Sequence, residues 1–127
     1  MRKQHTVVFD GLRGLTILPL EGVHIYLNPI ERTLYQLFLS HPDGITSDCL
    51  TRHWKELCSI YEQKSCFDEE SLIHSALGSL CAESRTVFYT NISRIKKKFV
   101  STLGSRRANP YIIKRDKTGR YKTRATL

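Results

Sequence analysis

LNPIERTLYQLFLSHPDGITSDCLTRHW, residues Leu27 to Trp54, holds the punctuation from which the rest of the chain can be ordered. Asn28 can accept hydrogen bonds from the unpaired N–H groups that open a helix. Pro29 brings a fixed φ suited to the first helical position, and Glu31 stands where a capping-box acid reaches back. A helix therefore begins at Pro29. Its apolar residues Ile30, Leu34, Leu37 and Phe38 recur at helical spacing, and His41-Pro42-Asp43-Gly44 ends it with turn-forming residues. After a short apolar step at Ile45, Thr46 or Ser47 can cap a second helix through Cys49, Leu50, Trp54 and Leu57 and toward Tyr61. Two helices joined by a short turn form a helix-turn-helix scaffold, although unrelated bundles begin in the same way.

On the N-terminal side, HTVVF, LTILPL and GVHIYL are short β-branched segments broken by Asp10-Gly11, Gly14 and Glu21-Gly22, which predicts three or four short antiparallel strands. On the C-terminal side, DEESLIHSALGSLCAE places acids in its first turn and apolar residues at Leu72, Ile73, Ala76, Leu77, Leu80 and Cys81. That is an amphipathic helix, weakened at Gly78. From Arg85 to Leu103 the apolar stripe is Phe88, Ile92, Ile95, Phe99 and Leu103. The opposite side carries Thr90, Arg94 and Lys97, flanked by Thr86, Asn91, Ser93 and Lys98. After a short SRRAN loop, PYIIKRDKTGRYKT reads as two strands around a turn at Asp116-Lys117-Thr118-Gly119.

Charge divides the chain. From Arg85 onward there are 13 Lys or Arg and one acid, Asp116, a net of +12; residues 1–84 hold 7 against 11, a net of −4. A basic third joined to an acidic body marks a surface for a polyanion, because one acid cannot pair so many cations internally. Apolar content of 40% and charged content of 25% fit a soluble globular chain of single-domain size. No apolar run approaches the roughly 20 residues needed to span a bilayer. His5 and Asp10 interrupt what could have been a signal-peptide core, so a cytoplasmic protein with no membrane role is expected. Cys49, Cys58, Cys66 and Cys81 form no CxxC pair. Although His53 follows Cys49 by four residues, and Cys58 and His74 could join them, reduced packing cysteines and no metal or cofactor are expected. No nucleophile elbow, phosphate loop, HExxH or paired carboxylates argue for an enzyme.

The order of elements, with NISRIKKKF at residues 91–99 and YIIKRDKTGRY at 111–121, resembles the OmpR/PhoB-type winged-helix DNA-binding domain, the effector domain of bacterial response regulators. Leu27–Trp54 is similar to that family's strand end and first two helices. NISRIKKKF is similar to its recognition-helix core, with a hydrogen-bonding residue, Ile-Ser-Arg, an aliphatic residue and basic residues. YIIKRDKTGRY is similar to its wing, with Gly119 and Tyr121 separated by Arg120 where the family has a Gly-Tyr pair. The resemblance covers about Leu15 to Tyr121 and departs at Cys58–Ser84, which adds roughly one helix. No receiver domain is recognisable within the 127 residues.

The resemblance implies an α+β winged helix-turn-helix in one domain. Residues 1–28 would form a small antiparallel sheet, 29–57 the first two helices, 58–84 a helical insert, 85–104 the recognition helix and 110–124 a β-hairpin wing. The expected activity is sequence-specific double-stranded DNA binding in transcription regulation. Arg94 suits a guanine edge and Asn91 an adenine edge, with Thr86, Thr90, Ser93 and Lys97 on the same polar face. Lys96, Lys98, Arg106 and Arg107 suit phosphates, and Lys114, Arg115, Lys117 and Arg120 suit the neighbouring minor groove or backbone. The insert's apolar residues Leu72, Ile73, Leu77 and Leu80 would enlarge the core, or meet a second copy or RNA polymerase. The alternative is a winged-helix interaction module that uses the insert for protein contact and the basic face for RNA or another polyanion.

Overall fold

The computed structural model describes residues 5–10, 15–46, 52–64, 78 and 86–126 of the chain. The architecture is α+β, with small antiparallel sheets packed around helices. Strands β1 (Val8–Asp10), β2 (Leu15–Leu18) and β3 (Val23–Tyr26) form an antiparallel meander in that order, with Phe9 opposite Thr16 and Thr16 opposite Ile25. Period-two alternation turns Thr16, Leu18 and Ile25 inward, while His24 and Tyr26 face solvent. The first and last described segments also meet. Val7 N donates to Thr126 O at 2.7 Å, and Thr126 N donates to His5 O at 2.9 Å.

Helix α1 (Pro29–Ser40) starts as its residues require. Asn28 Oδ1 accepts from Glu31 N at 2.9 Å and Glu31 Oε1 accepts from Asn28 N at 2.9 Å, so two otherwise unpaired N–H groups are satisfied. Leu34, Tyr35, Leu37 and Phe38 are fully buried. The helix ends at His41. A tight turn follows in which Gly44 has φ +94°, and a Cβ there would lie 3.0 Å from the Arg120 Cβ. That close approach exists because β4 (Ile45–Thr46) pairs with the hairpin strand β6 (Arg120–Lys122), Ile45 opposite Tyr121. The apolar step expected at Ile45 is thus a short strand in a second sheet of order β4-β6-β5, where β5 is Lys114–Arg115.

Helix α2 (Trp54–Lys64) packs on α1 and runs seven residues beyond the boundary expected at 57. Leu57, Ile60 and Tyr61 continue its buried stripe, so the start of the expected insert belongs to this helix. Within the rest of the expected insert, Gly78 is helical and exposed. Leu72, Ile73, Leu77 and Leu80, together with Cys49, Cys66, His74 and Cys81, lie outside the described residues.

Helix α3 (Thr86–Leu103) is the long one, and the expected SRRAN loop is instead a short helix, α4 (Ser105–Ala108). An aromatic stack locks α3 to the body. Tyr35 and Phe99 have ring centroids 5.2 Å apart, Phe99 and Tyr111 stack at 6.0 Å, and the Tyr35 hydroxyl donates to Tyr111 O at 2.6 Å. Burial pushes the Tyr35 phenol far above its ordinary value, so it stays neutral and keeps donating.

Candidate nucleic-acid interface

Spacing along α3 decides which side chains are available. Phe88, Asn91, Ile95, Phe99 and Leu103 recur every three or four residues and are buried, so the other side of the helix is open. Thr86, Ser93, Arg94, Lys96 and Lys97 are exposed there, with Thr90 half-buried and its hydroxyl donating back to Thr86 O at 2.8 Å. Thr86, Thr90, Ser93, Arg94 and Lys97 line one shallow groove along the helix.

Two expectations for this helix need correction. Asn91, expected on the outer face as an adenine reader, is only 5% exposed. It lies inside the buried arc, three residues after Phe88 and four before Ile95, where its Nδ2 donates to Val87 O at 2.8 Å. Ile92, expected on the buried stripe, packs against the core from its edge and is half-buried. Lys98, expected to hold a phosphate, bonds through Nζ to Glu31 Oε1 and lies 5.9 Å from the Tyr26 ring centroid. The Glu31 side chain is fully buried, and Lys98 together with Asn28 N supplies the hydrogen-bond partners of its Oε1.

The remaining cations fall into two sets. Arg107 is held by the β2–β3 turn, its Nε donating to Glu21 Oε2 at 2.8 Å and its Nη2 lying 2.6 Å from the same oxygen. Lys114 donates to Asn109 Oδ1. Arg94, Lys96, Lys97, Arg106, Arg115, Lys117 and Arg120 are exposed, and among the described residues no ion pair engages them. Arg106 is on α4, beyond the Gly104 at which α3 ends, and so stands past the end of α3 remote from its first turn.

The β5–β6 hairpin reaches the same side as the outer face of α3. Phe88 meets Tyr121 edge-on at 5.3 Å and Tyr89 lies 6.2 Å from Tyr121, which fixes β6 against the first turns of α3. Burial raises the Tyr121 phenol above its ordinary value, and the neighbouring Tyr89 adds to the shift. A second depression is lined by Ser93 and Lys96 of α3 together with Lys114 and Arg115 of β5. At the hairpin turn, Asp116 Oδ1 accepts from Thr118 Oγ1 at 2.6 Å, Thr118 N at 2.8 Å and Arg120 N at 3.0 Å, while Lys122 Nζ lies 3.4 Å from Oδ2. These donors, the Thr118 hydroxyl foremost, hold its carboxyl well below the usual carboxylate range. The acid of the basic third is thereby committed to shaping the turn, and Gly119 supplies the positive φ, +86°, that closes it.

Tyr89 is the site residue that periodicity did not single out. It is 45% exposed and lines the groove beside Thr86, Thr90 and Arg94. The available signal was an aromatic residue next to Phe88 and off the apolar stripe, where a core side chain is not needed.

No protein family, curated protein or solved structure matches the chain. Among the described residues no helix is long and apolar enough to cross a membrane.

Proposed function

We propose that the protein binds double-stranded DNA as a winged-helix module of the OmpR/PhoB type. In this reading α3 enters the major groove and the β5–β6 hairpin rests on the adjacent backbone or minor groove. The observation that carries it is the run of exposed cations, unpaired among the described residues, that continues from Arg94, Lys96 and Lys97 on α3 to Arg115, Lys117 and Arg120 on the hairpin. An α-helix with one buried stripe and one open polar face fits a groove wide enough to admit it, and the phosphates on either side accept the flanking cations. The sheet order β4-β6-β5 supports the winged reading, because it ties the hairpin to the strand between α1 and α2 and aims it beside α3.

Within this reading Arg94 is the base-reading residue, its guanidinium able to bond both acceptors of a guanine edge. Thr86, Tyr89, Thr90, Ser93 and Lys97 surround it. Lys96, Arg106, Arg115, Lys117 and Arg120 hold phosphates and set register. Asn91 has no part in base recognition. Selection of bound duplexes from a random pool tests the proposal: recovery of a recurring motif supports it. Retention without enrichment, or tighter binding of single-stranded RNA of the same composition, would instead favour a non-specific polyanion module.

A further inference from the structure

A second constellation lies at the corner between α1 and α2. His41 is the residue at which α1 stops, His53 belongs to the turn that leads into α2, and Glu56 is in the first turn of α2. Their donor atoms converge: His41 Nε2 lies 2.7 Å from Glu56 Oε1, His53 Nδ1 lies 3.4 Å from the same oxygen, and one ligand atom from each residue falls within 4.8 Å of the others. The two imidazoles are 4.6 Å apart, centroid to centroid, at 65°. All three side chains are half-buried, so they are partly shielded but reachable from solvent.

We infer that His41, His53 and Glu56 form a binding site for one divalent transition-metal ion of the zinc class, with water in the fourth position. Two imidazole nitrogens and one carboxylate oxygen make a donor set suited to zinc, cobalt or nickel. Calcium and magnesium favour oxygen-only sets. A tetrahedral ion with bonds of about 2.0 to 2.1 Å needs donors roughly 3.4 Å apart. The His53–Glu56 separation already has that value, and the His41–Glu56 pair must open by roughly 0.7 Å, which side-chain rotation can supply. The backbone around the site is prepared. His41 N donates to Phe38 O, His41 O accepts from Gly44 N at 2.9 Å, and α1 and α2 pack against each other. The bound ion would replace a hydrogen-bonded contact between the helices with coordinate bonds, tying the end of α1 to the start of α2. Its effect on the chain is to stabilise the folded state by mass action. The inference is independent of DNA binding, since none of its ligands is on α3 or the hairpin.

The test uses the full chain, stripped of metal by a chelator and titrated with cobalt(II). The expected result is one ion per chain with the visible absorption of tetrahedral cobalt, lost on addition of zinc, and a melting temperature raised by zinc. His53→Gln and Glu56→Gln should each weaken cobalt binding by about tenfold or more. Should either variant fail to fold, imidazole nitrogen NMR of the unaltered protein decides the matter: zinc should shift His41 and His53 and leave the other three of the five histidines unchanged. Absence of tetrahedral cobalt absorption in the unaltered protein would overturn the site. So would a sulfur-to-cobalt charge-transfer band, which would assign the ion to cysteines, or unchanged affinity in both folded variants.

Discussion

Helices α1 and α3 are both amphipathic, yet they present opposite amounts of themselves to solvent. In α1 even Glu31 and Arg32 are buried, and Ser40 alone of its twelve residues is exposed. In α3 the buried set is confined to one stripe, and Arg94, Lys96 and Lys97 stand clear of it. The first helix is enclosed by α2, α3 and β6, whereas the second has one covered side and offers the other. An enclosed helix organises the body, and a helix that leaves a charged face uncovered is available to a partner of opposite charge. Lys98 joins the two roles, because its position on α3 would suit a phosphate but its ammonium is committed to the buried Glu31.

The largest effect that distinguishes the two sides of α3 is expected at Phe99. Its ring is fully buried against Tyr35 and Tyr111, so Phe99→Ala should cost about 3 to 5 kcal/mol in urea unfolding. A loss below that of an ordinary surface substitution would mean that α3 is not docked through this stripe. On the outer side, Arg94→Ala should leave the unfolding midpoint in place but weaken binding to a selected duplex by about 1 to 3 kcal/mol, with a smaller loss on random duplex. Equal losses on both duplexes would make Arg94 a phosphate contact.

Asn91→Ala sharpens the same boundary three residues away. It should lower stability by about 1 kcal/mol while leaving the ratio of selected to random duplex affinity unchanged, because the amide is spent on Val87 O. A changed ratio with unchanged stability would return Asn91 to the interface. The smallest effect concerns the hairpin turn. The depressed Asp116 carboxyl contributes stability that is present above its ordinary unfolded pKa, about 4, and is lost as pH falls through the lower folded value. Asp116→Asn should therefore reduce stability near neutral pH and flatten that part of the acid dependence, read from urea midpoints across pH. An acid limb identical to that of the parent would show that the turn does not use the charge.

Local signals explain which parts of this arrangement were legible in the amino-acid sequence. The capping box at Asn28 and Glu31, the three N-terminal strands and the hairpin turn at Asp116–Gly119 each depend on residues close in sequence, and each forms. What escaped depends on distant partners. Ile45–Thr46 is too short to announce a strand and becomes one because Arg120 and Tyr121 lie alongside. Helical periodicity alone could not choose between Asn91 and Ile92 for the covered arc, since both sit within reach of the same stripe, and the Val87 carbonyl accommodates the amide. Charge composition located the basic third but could not foresee that Glu31 and Glu21 would engage Lys98 and Arg107 across 67 and 86 residues. The cations left open on α3 and the hairpin are therefore fewer than composition implies, and they are the ones on which the proposed duplex binding would depend.

That dependence is measured most directly by the equilibrium binding of a duplex as a function of salt concentration. If α3 and the hairpin together engage about six phosphates, log K should fall against log salt with a slope near −5, and Lys96→Ala should lower the magnitude of that slope by about 1. A slope near zero in the unaltered protein would contradict the assignment of this face to a nucleic acid.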